Sequence, residues 1–285
     1  MHPDLFHIGP LTVRTYGLAM AVSFLVGFYL AARRAPRERI DPELVLDCFL
    51  PVFIGAILGA RILYIFTDIR TYIENPLEIL KIWRGGLVWY GGFIGALIGA
   101  YLFLRYKKHG FWKMMDLMAP YAGLGYAIHR TFGCFGGFGC CYGKPTDLPF
   151  PLGVTFPEGA PASRIYGFGQ PVHPTQLYES INGLIIMAVL MLYRRNPHSV
   201  GKPSAIFLLI YAVMRFLIEF LRGDPYRGFI GPLSTSQFIS IPLIILAIIL
   251  WFRKTDTETP LNKEDAQKFM EELTDEHAAE NGDSN

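Results

Sequence analysis

Hydrophobic residues occur along this chain in seven long runs, separated by short polar and basic stretches. The runs occupy residues 16–32, 44–66, 86–104, 114–128, 176–193, 204–221 and 236–252. Runs of about 17–22 apolar residues match the length of an α-helix that crosses a bilayer. The pattern therefore predicts an all-α polytopic membrane protein with about seven transmembrane helices.

Clusters of basic residues follow every second run, and they indicate the orientation. Lys and Arg are enriched in the cytoplasmic loops of membrane proteins. The clusters follow the first, third, fifth and seventh runs and comprise Arg33, Arg34, Arg37 and Arg39, then Arg105, Lys107, Lys108 and Lys113, then Arg194 and Arg195, then Arg253 and Lys254. We therefore expect the N-terminus outside and the C-terminus inside. The first run lacks the basic leader of a signal peptide.

The remaining segments define the domain organisation. Residues 1–254 form one membrane domain, with extracytoplasmic loops rich in Gly and Pro at about 129–175. Residues 255–285 form an acidic, polar tail on the cytoplasmic side. Asn262 is placed to cap a short helix that reaches about Leu273. Beyond that helix the composition predicts disorder.

The composition argues against an ordinary globular domain, a nucleic-acid partner and a disulfide-rich fold. The chain is 52% hydrophobic and 18% charged, whereas globular domains carry roughly 25% charge. No basic run is interleaved with aromatic residues, so we expect no nucleic-acid partner. Four cysteines at uneven spacing do not form a disulfide framework.

Ionisable residues inside the predicted spans point to a functional site, because such residues are rare at bilayer depth. The sixth run carries Tyr211, Arg215, Glu219 and Arg222. At 100° per residue they fall within roughly 80° of arc and form one polar stripe. Arg215 and Glu219 can pair at i, i+4. A pair that only holds helices together is the alternative.

Other polar residues lie at the same outer level of the membrane. They are Tyr16 in the first run, Arg61 in the second, Tyr90 in the third, Arg130 after the fourth, and His173, Gln176, Tyr178 and Glu179 in the string HPTQLYE at the fifth. Guanidinium groups suit phosphates, because they make bidentate contacts and stay charged. We expect Arg61, Arg130 and Arg215 to converge on one lipid phosphodiester. The alternatives are a snorkelling arginine at 61 and an interfacial aromatic at 90.

Residues 127–147 read AIHRTFGCFGGFGCCYGKPTD and join the fourth run to the loops. Such a Gly-rich backbone beside an arginine lets an anionic ligand approach closely. Cys134, Cys140 and Cys141 lie in this segment. A metal site would need a fourth ligand at suitable spacing, and a redox role and simple packing are the other interpretations. We expect packing, with no metal and no cofactor.

Seven strings together resemble one family, the bacterial prolipoprotein diacylglyceryl transferases. They are YGLAMAVSF, GARILY, GGLVWYGG, the segment R…GCF…GCCYGKP, HPTQLYE, YAVMRFLIEFLRGD and STSQFISIP. The resemblance covers about residues 16–250. It implies transfer of the diacylglyceryl group of phosphatidylglycerol to the lipobox cysteine of a prolipoprotein. The products are a thioether and glycerol phosphate, formed in lipoprotein biosynthesis at the outer leaflet of the inner membrane.

The resemblance also implies roles for individual residues. Arg130 and Arg215 would hold the phosphate, Glu219 would orient Arg215, and Tyr16 and Tyr90 complete the expected catalytic set. The expected substrate-binding residues are Arg61, His173, Gln176, Glu179, Tyr211 and Arg222. Phosphatidylglycerol, lipobox signal peptides and membrane lipids are the expected partners.

Two departures from the family pattern stand out. Tyr90 stands where some members have a functionally important histidine, and a tyrosine with an ordinary pKa of about 10 is a poor base at pH 7. Arg130 lies four residues before Cys134 rather than three, so the loop is one residue longer. His129 and His173 are other candidates for the base by residue type.

Two alternative functions remain open at this point. A divergent, inactive paralogue would use the same arginines to bind an anionic lipid headgroup. A seven-helix transporter or lipid carrier would do so without transfer chemistry, although transporters place their polar groups near the midplane.

Overall fold

The computed structural model describes residues 4–8, 11–67, 69–76, 79, 86, 88–225 and 227–282. Residue 87 of the third predicted span lies outside the described residues, as does Gly85 of the string GGLVWYGG. Residues 283–285 of the predicted tail also lie outside them.

Within these ranges the chain is mostly α-helical, as predicted. In order, the helices are α1 (Thr15–Arg34), α2 (Pro42–Asp47), α3 (Phe49–Thr67), α4 (Ile69–Glu74), α5 (Trp89–Tyr106), α6 (Phe111–Ile128), α7 (Pro161–Tyr166), α8 (Thr175–Tyr193), α9 (Lys202–Ile218), α10 (Thr235–Phe252) and α11 (Lys263–Gly282). Asn262 caps α11, since its Oδ1 accepts from the Asp265 N–H at 2.9 Å. This helix is longer than predicted, because it continues past Leu273 to Gly282.

Five helical segments in the described part of the chain are long and apolar enough to cross a membrane. They are Thr15–Glu38, Pro42–Thr67, Thr175–Tyr193, Lys202–Leu221 and Thr235–Phe252. They correspond to the first, second, fifth, sixth and seventh predicted spans. The third and fourth predicted spans are α5 and α6, which are not among those five. The protein is therefore an all-α polytopic membrane protein.

Short antiparallel strand pairs, which the hydrophobic pattern did not predict, occur between the helices. The first pair is β1 (Asp4–Ile8) with β2 (Leu11–Arg14), directly before α1. The other strands are β3 (His198–Ser199) paired with β6 (Thr257–Glu258), and β4 (Phe229–Ile230) paired with β5 (Leu233–Ser234).

The chain forms two compact units. The first comprises Met1–Ala31 and Met115–Pro260, and the second comprises Ala32–Met114 and Leu261–Asn285. In the first unit, α8, α9 and α10 pack in sequence order. In the second, α3 packs along α5, and α11 packs against a 3₁₀ turn at Ala35–Glu38.

Asp116 holds the N-terminal end of α9 in the first unit. Its carboxylate accepts from the backbone N–H of Gly201 and from the N–H and hydroxyl of Ser204. Arg194, only 2% exposed, donates to the carbonyl of Leu117 at 3.2 Å. Asp116, which lies on α6, thus serves as the N-terminal cap of a different helix, where a carboxylate is favoured by the helix dipole.

Glycines line the contact between α3 and α5. The glycine interface comprises Gly55 and Gly59 on α3 with Gly91, Gly95 and Gly99 on α5. A Cβ added at Gly95 would lie 2.9 Å from the Gly59 Cα and closer still to the Gly55 carbonyl oxygen. Small residues let membrane helices approach to backbone contact, where dispersion supplies the packing energy.

We expect Gly95→Ala to destabilise the second unit by about 2 kcal/mol, because two backbones must separate. Gly92→Ala on the same helix is the matched control. Its added Cβ would lie 3.3 Å from the Ala56 oxygen, a contact that small shifts relieve. Thermal unfolding in detergent measures both variants. Equal midpoints for the two would contradict backbone contact at Gly95.

Candidate active site

A buried carboxylate near the start of α8 joins two of the predicted arginines. Glu179 is 1% exposed. Its Oε2 lies 2.8 Å from Nε of Arg130, and its Oε1 lies 3.3 Å from Nη1 of Arg215. Each carboxylate oxygen therefore holds a different guanidinium group. The end of α6 and two further helices converge at this one residue.

Arg215 is also bound from α9 and α10. Its Nη1 donates to Glu219 Oε2 at 2.5 Å, one helical turn along the chain. Its Nη2 donates to the hydroxyl of Ser236 at 2.6 Å, in the first turn of α10. The pairing of Arg215 with Glu219 at i, i+4 is confirmed. Buried charges of this kind persist only when they are paired and hydrogen-bonded.

Two further arginines extend the network after the end of α9. Arg222 makes a bidentate contact with Asp224, at 2.9 and 2.6 Å. Its Nη1 lies 3.6 Å from Glu219. Arg227 donates to the backbone carbonyl of Glu219 at 3.0 Å. Arg227 and Asp224 were not among the predicted site residues, although both lie within eight residues of Glu219 in the sequence.

We call this group the arginine cluster. It consists of Arg130, Arg215, Arg222 and Arg227 with Glu179, Glu219 and Asp224. Four cations face three anions, so the cluster carries one excess positive charge. A phosphodiester, which carries a single negative charge, would neutralise it.

Aromatic rings flank Arg130. Its guanidinium carbon lies 5.1 Å from the ring centroid of Tyr126, which is within the range of a cation–π contact. The Tyr126 ring in turn meets Tyr211 edge-on at 5.5 Å. Tyr126 was missed at the sequence level. Its position four residues before Arg130, about one helical turn away, is the signal that would have indicated it.

The chain from His129 to Phe138 continues α6 as a π-helix. It ends where the Gly139 N–H donates to the Cys134 carbonyl at 2.7 Å, an i→i+5 bond. Such a turn holds one residue more than an α-turn. Cys134 Sγ therefore lies 3.8 Å from Arg130 Nη1, despite the longer spacing between these residues. Single π-turns in α-helices frequently mark functional sites.

Three cysteines meet beside this turn. Cys134, Cys140 and Cys141 lie close enough to influence one another electrostatically, and we call them the thiol cluster. All three are free, and Cys134 is 1% exposed. His129 Nε2 lies 3.8 Å from Cys134 Sγ. The thiols are therefore assembled rather than dispersed through the loop.

Tyr16 reaches the same region from α1. Its ring meets the His129 ring edge-on at 4.5 Å. Burial and the adjacent Arg130 charge lower the pKa of His129 to about 4. The imidazole is therefore neutral at pH 7, so Tyr16 packs against an uncharged ring.

The string HPTQLYE anchors the loop rather than presenting every side chain to the arginine cluster. Gln176 Nε2 donates to the carbonyl of Cys140 at 2.8 Å, and the Thr175 hydroxyl donates to the carbonyl of Cys141. His173 Nδ1 lies 3.1 Å from the Tyr178 hydroxyl. The structure thus gives Gln176 and His173 contacts within the loop region, and it brings Glu179 alone of the three to the arginines.

The other two predicted residues belong to the second unit. Arg61 is buried, and its Nε and Nη1 donate to the carbonyls of Ile79 and Gly86 at 2.9 and 3.1 Å. Tyr90 lies in the first turn of α5, edge-on to the Trp89 ring at 5.4 Å. The expected convergence of Arg61 with Arg130 and Arg215 stays a prediction.

Comparison with known proteins identifies the family. The model of the prolipoprotein diacylglyceryl transferase family matches residues 3–253. The chain belongs to this family. The resemblance noted in the sequence is therefore confirmed, and the match includes both the arginine cluster and the thiol cluster.

Curated relatives have a similar length and share one name. A phosphatidylglycerol–prolipoprotein diacylglyceryl transferase of Clostridium tetani is 39% identical over 258 residues, which cover 89% of this chain and 100% of the relative. Proteins with that name from Idiomarina loihiensis and Nitratidesulfovibrio vulgaris are each 37% identical, covering 88% and 87% of this chain and 92% of each relative. Membership of the family thus extends over almost the whole membrane domain.

Proposed function

We propose that this protein transfers the diacylglyceryl group of phosphatidylglycerol to the cysteine thiol of a prolipoprotein lipobox. The observation that carries the proposal is the arginine cluster, with one excess positive charge held among apolar helices. The names of the relatives support the same reaction. Burying charged residues within a membrane protein costs free energy, and such residues are usually functional. The cluster therefore favours a protein that binds an anionic substrate.

Arg130 and Arg215 bind the phosphodiester in this proposal. Glu179 holds both guanidinium groups, at 2.8 and 3.3 Å, and it thereby sets their separation. Arg222, with two contacts to Asp224, adds a third cation at the outer end of α9. Fixed cations of this sort stabilise charge that develops in a transition state without reorganising.

The reaction is a displacement at the glyceryl carbon that bears the phosphate. The lipobox sulfur forms a C–S bond to that carbon while the C–O bond to the phosphate breaks. The bonding electrons leave with the phosphate of glycerol phosphate, where the arginines stabilise them. The thiol proton must be removed first, because the thiolate is the nucleophile.

The proposed setting is a bacterial inner membrane with seven spans, the N-terminus outside and the C-terminus inside. Helices α5 and α6 supply the third and fourth spans. The π-helix after α6 and the first turn of α8 then lie at the outer leaflet, where phosphatidylglycerol and the lipobox are both accessible. Tyr16, Tyr90, Arg61 and Tyr211 remain proposed site residues.

Incubation of the purified protein with phosphatidylglycerol and a lipobox peptide tests the function. We expect a peptide whose mass increases by one diacylglyceryl group, with release of glycerol phosphate. A peptide with serine in place of the lipobox cysteine should remain unmodified. Lipid binding without a thioether product would contradict the proposal.

We expect Tyr90→Phe to lower turnover about tenfold and to leave its pH dependence unchanged. Loss of one hydrogen bond to the substrate corresponds to about 1.4 kcal/mol. The test is to measure turnover as a function of pH for the variant and for the wild type. A displaced acidic limb in Tyr90→Phe would instead assign proton transfer to this hydroxyl.

A further inference from the structure

A cavity of about 570 Å³ lies between the C-terminal end of α1 and the tail helix α11. Ligand sites in proteins commonly have volumes of about 300–1,000 Å³. The residues that line the cavity all belong to the second unit, and none of them is part of the arginine cluster. The function proposed above therefore gives this cavity no role.

Positive charge is concentrated in the lining. Arg33, Arg37 and Lys263 line the cavity, and within the described part of the chain Glu271 is the carboxylate that lines it with them. Three cations and one anion leave an excess of two positive charges. Like charges near one another on a helix destabilise it, as for two arginines four residues apart. An anion bound between them would remove this cost.

The positive lining does not follow from the composition of α11. The sequence of this helix contains seven acidic residues and two lysines, yet it contributes Lys263 and a single carboxylate to the cavity. A further carboxylate on the opposite wall is occupied elsewhere. Glu38 is buried and lies 3.5 Å from Arg34. The acidic groups nearby thus leave the excess charge of the cavity in place.

Contacts outside the cavity hold its two walls together. The Leu261 N–H donates to the Arg37 carbonyl at 2.7 Å, directly before α11. Ala266 on α11 and Ala35 in the 3₁₀ turn are both buried. The cations are therefore brought together before a ligand binds, which reduces the entropy that binding costs.

The position of the cavity along α1 indicates the kind of anion. The apolar segment Thr15–Glu38 has 24 residues, which correspond to about 36 Å at 1.5 Å per residue. The hydrocarbon core of a bilayer is about 30 Å thick, so the last turns reach the level of the lipid headgroups. Pro36 and Met270 add apolar surface to the lining. A phospholipid offers both a phosphate for the cations and an apolar body for these two residues.

We propose that this cavity binds the headgroup phosphate of an anionic phospholipid. Arg33 and Arg37 contact the phosphate oxygens through their guanidinium groups, and Lys263 adds a third charge. In the orientation proposed above, the lipid belongs to the cytoplasmic leaflet, whose anionic headgroups bind to basic pockets of membrane proteins. Binding at this site requires no transfer chemistry, so it goes beyond the proposed transferase function.

Native mass spectrometry of the purified full-length protein tests the proposal, with phosphatidic acid as the probe. Phosphatidic acid is anionic but lacks the headgroup glycerol of phosphatidylglycerol. The cavity variant combines Arg33→Gln, Arg37→Gln and Lys263→Gln. We expect its Kd for phosphatidic acid to rise at least about tenfold, because each nearby Lys or Arg attracts an anionic headgroup. Zwitterionic phosphatidylcholine should bind the wild type and the cavity variant equally weakly.

The matched control removes the same charge from exposed positions that do not line the cavity. It combines Arg253→Gln, Lys254→Gln and Lys268→Gln. We expect this control to bind phosphatidic acid within about threefold of the wild type. An equal loss in both triple variants would indicate general attraction to basic residues and would overturn the proposal. Unchanged affinity in the cavity variant would overturn it as well.

A second measurement uses the wild type alone. Phosphatidic acid with a photoreactive group near its glycerol backbone should crosslink to the peptides that contain Pro36 and Met270. Crosslinks confined to other peptides would refute the site. Displacement of the lipid by millimolar inorganic phosphate would identify free phosphate as the ligand and refute the lipid assignment. A protein that binds the probe here but forms no thioether would contradict the transferase function and leave this site supported.

Discussion

Replacement of Arg215 by Ala is expected to lower turnover about a thousandfold while the protein still inserts into the membrane. Removal of one fixed charge-stabilising donor costs about 10²–10³ in rate. Arg215 supplies such a donor, and its loss also leaves the Glu179 and Glu219 carboxylates near one another without the cation between them. The expected loss is therefore at the upper end of that range.

Arg215→Lys separates charge from geometry. Lysine keeps the positive charge but lacks the planar fork that contacts Glu219 and Ser236 together. We expect it to recover no more than about a tenth of the activity. Arg253→Ala, at an exposed position after α10, is the control for the loss of any arginine. Thioether formation under single-turnover conditions, with the thermal midpoint of each variant, decides the result. Near-normal turnover in Arg215→Ala would contradict phosphate binding by this residue.

Replacement of Glu179 by Gln is expected to lower turnover at least about 100-fold and to lower the thermal midpoint. Glutamine has the same shape but no charge, and its amide nitrogen would face a guanidinium group. Arg130 and Arg215 would then lose the carboxylate that holds them at 2.8 and 3.3 Å. Breaking a buried ion pair by removing one partner costs about 3–5 kcal/mol.

Glu179 acts by positioning Arg130 and Arg215. A substitution that keeps its negative charge should therefore retain part of the activity. Glu179→Asp keeps the charge on a shorter side chain and should recover part of the activity. Ser180→Ala is the matched control on α8, since Ser180 donates to the Ala127 carbonyl at 3.1 Å, outside the arginine cluster. We expect that variant to stay within about threefold of the wild type. A Glu179→Gln enzyme with normal turnover would show that the two arginines need no common anchor.

The helices were predictable because the length of each apolar run matches the thickness of the hydrocarbon core of a bilayer. Helix α8 begins one residue before its predicted start and ends at the predicted Tyr193. The stripe on α9 is a direct result of the helical period, so the pairing of Arg215 with Glu219 was predictable from their spacing alone. The strand pair β1–β2 was not predicted, because residues 4–14 carry no long apolar run.

Contacts between residues far apart in the chain could not be predicted from the local sequence pattern. Asp116 caps a helix that begins 86 residues later in the chain, and nothing near residue 116 indicates this partner. Gln176 and His173 share a motif with Glu179, yet only the tertiary path of the loop determines that they contact loop groups. The left-handed conformation of Cys141 likewise depends on hydrogen bonds from α8.

The π-helix after α6 also has a consequence for how the sequence of this segment can vary. An insertion inside a regular helix would rotate every later residue by about 100° and carry the thiols away from the arginines. Here the additional residue is absorbed within His129–Phe138, where the Phe132 side chain points outward and is 61% exposed. We therefore expect that relatives can gain or lose one residue at this point while Cys134 keeps its place beside Arg130. We expect the length of this segment to be a poor guide to whether a homologue is active.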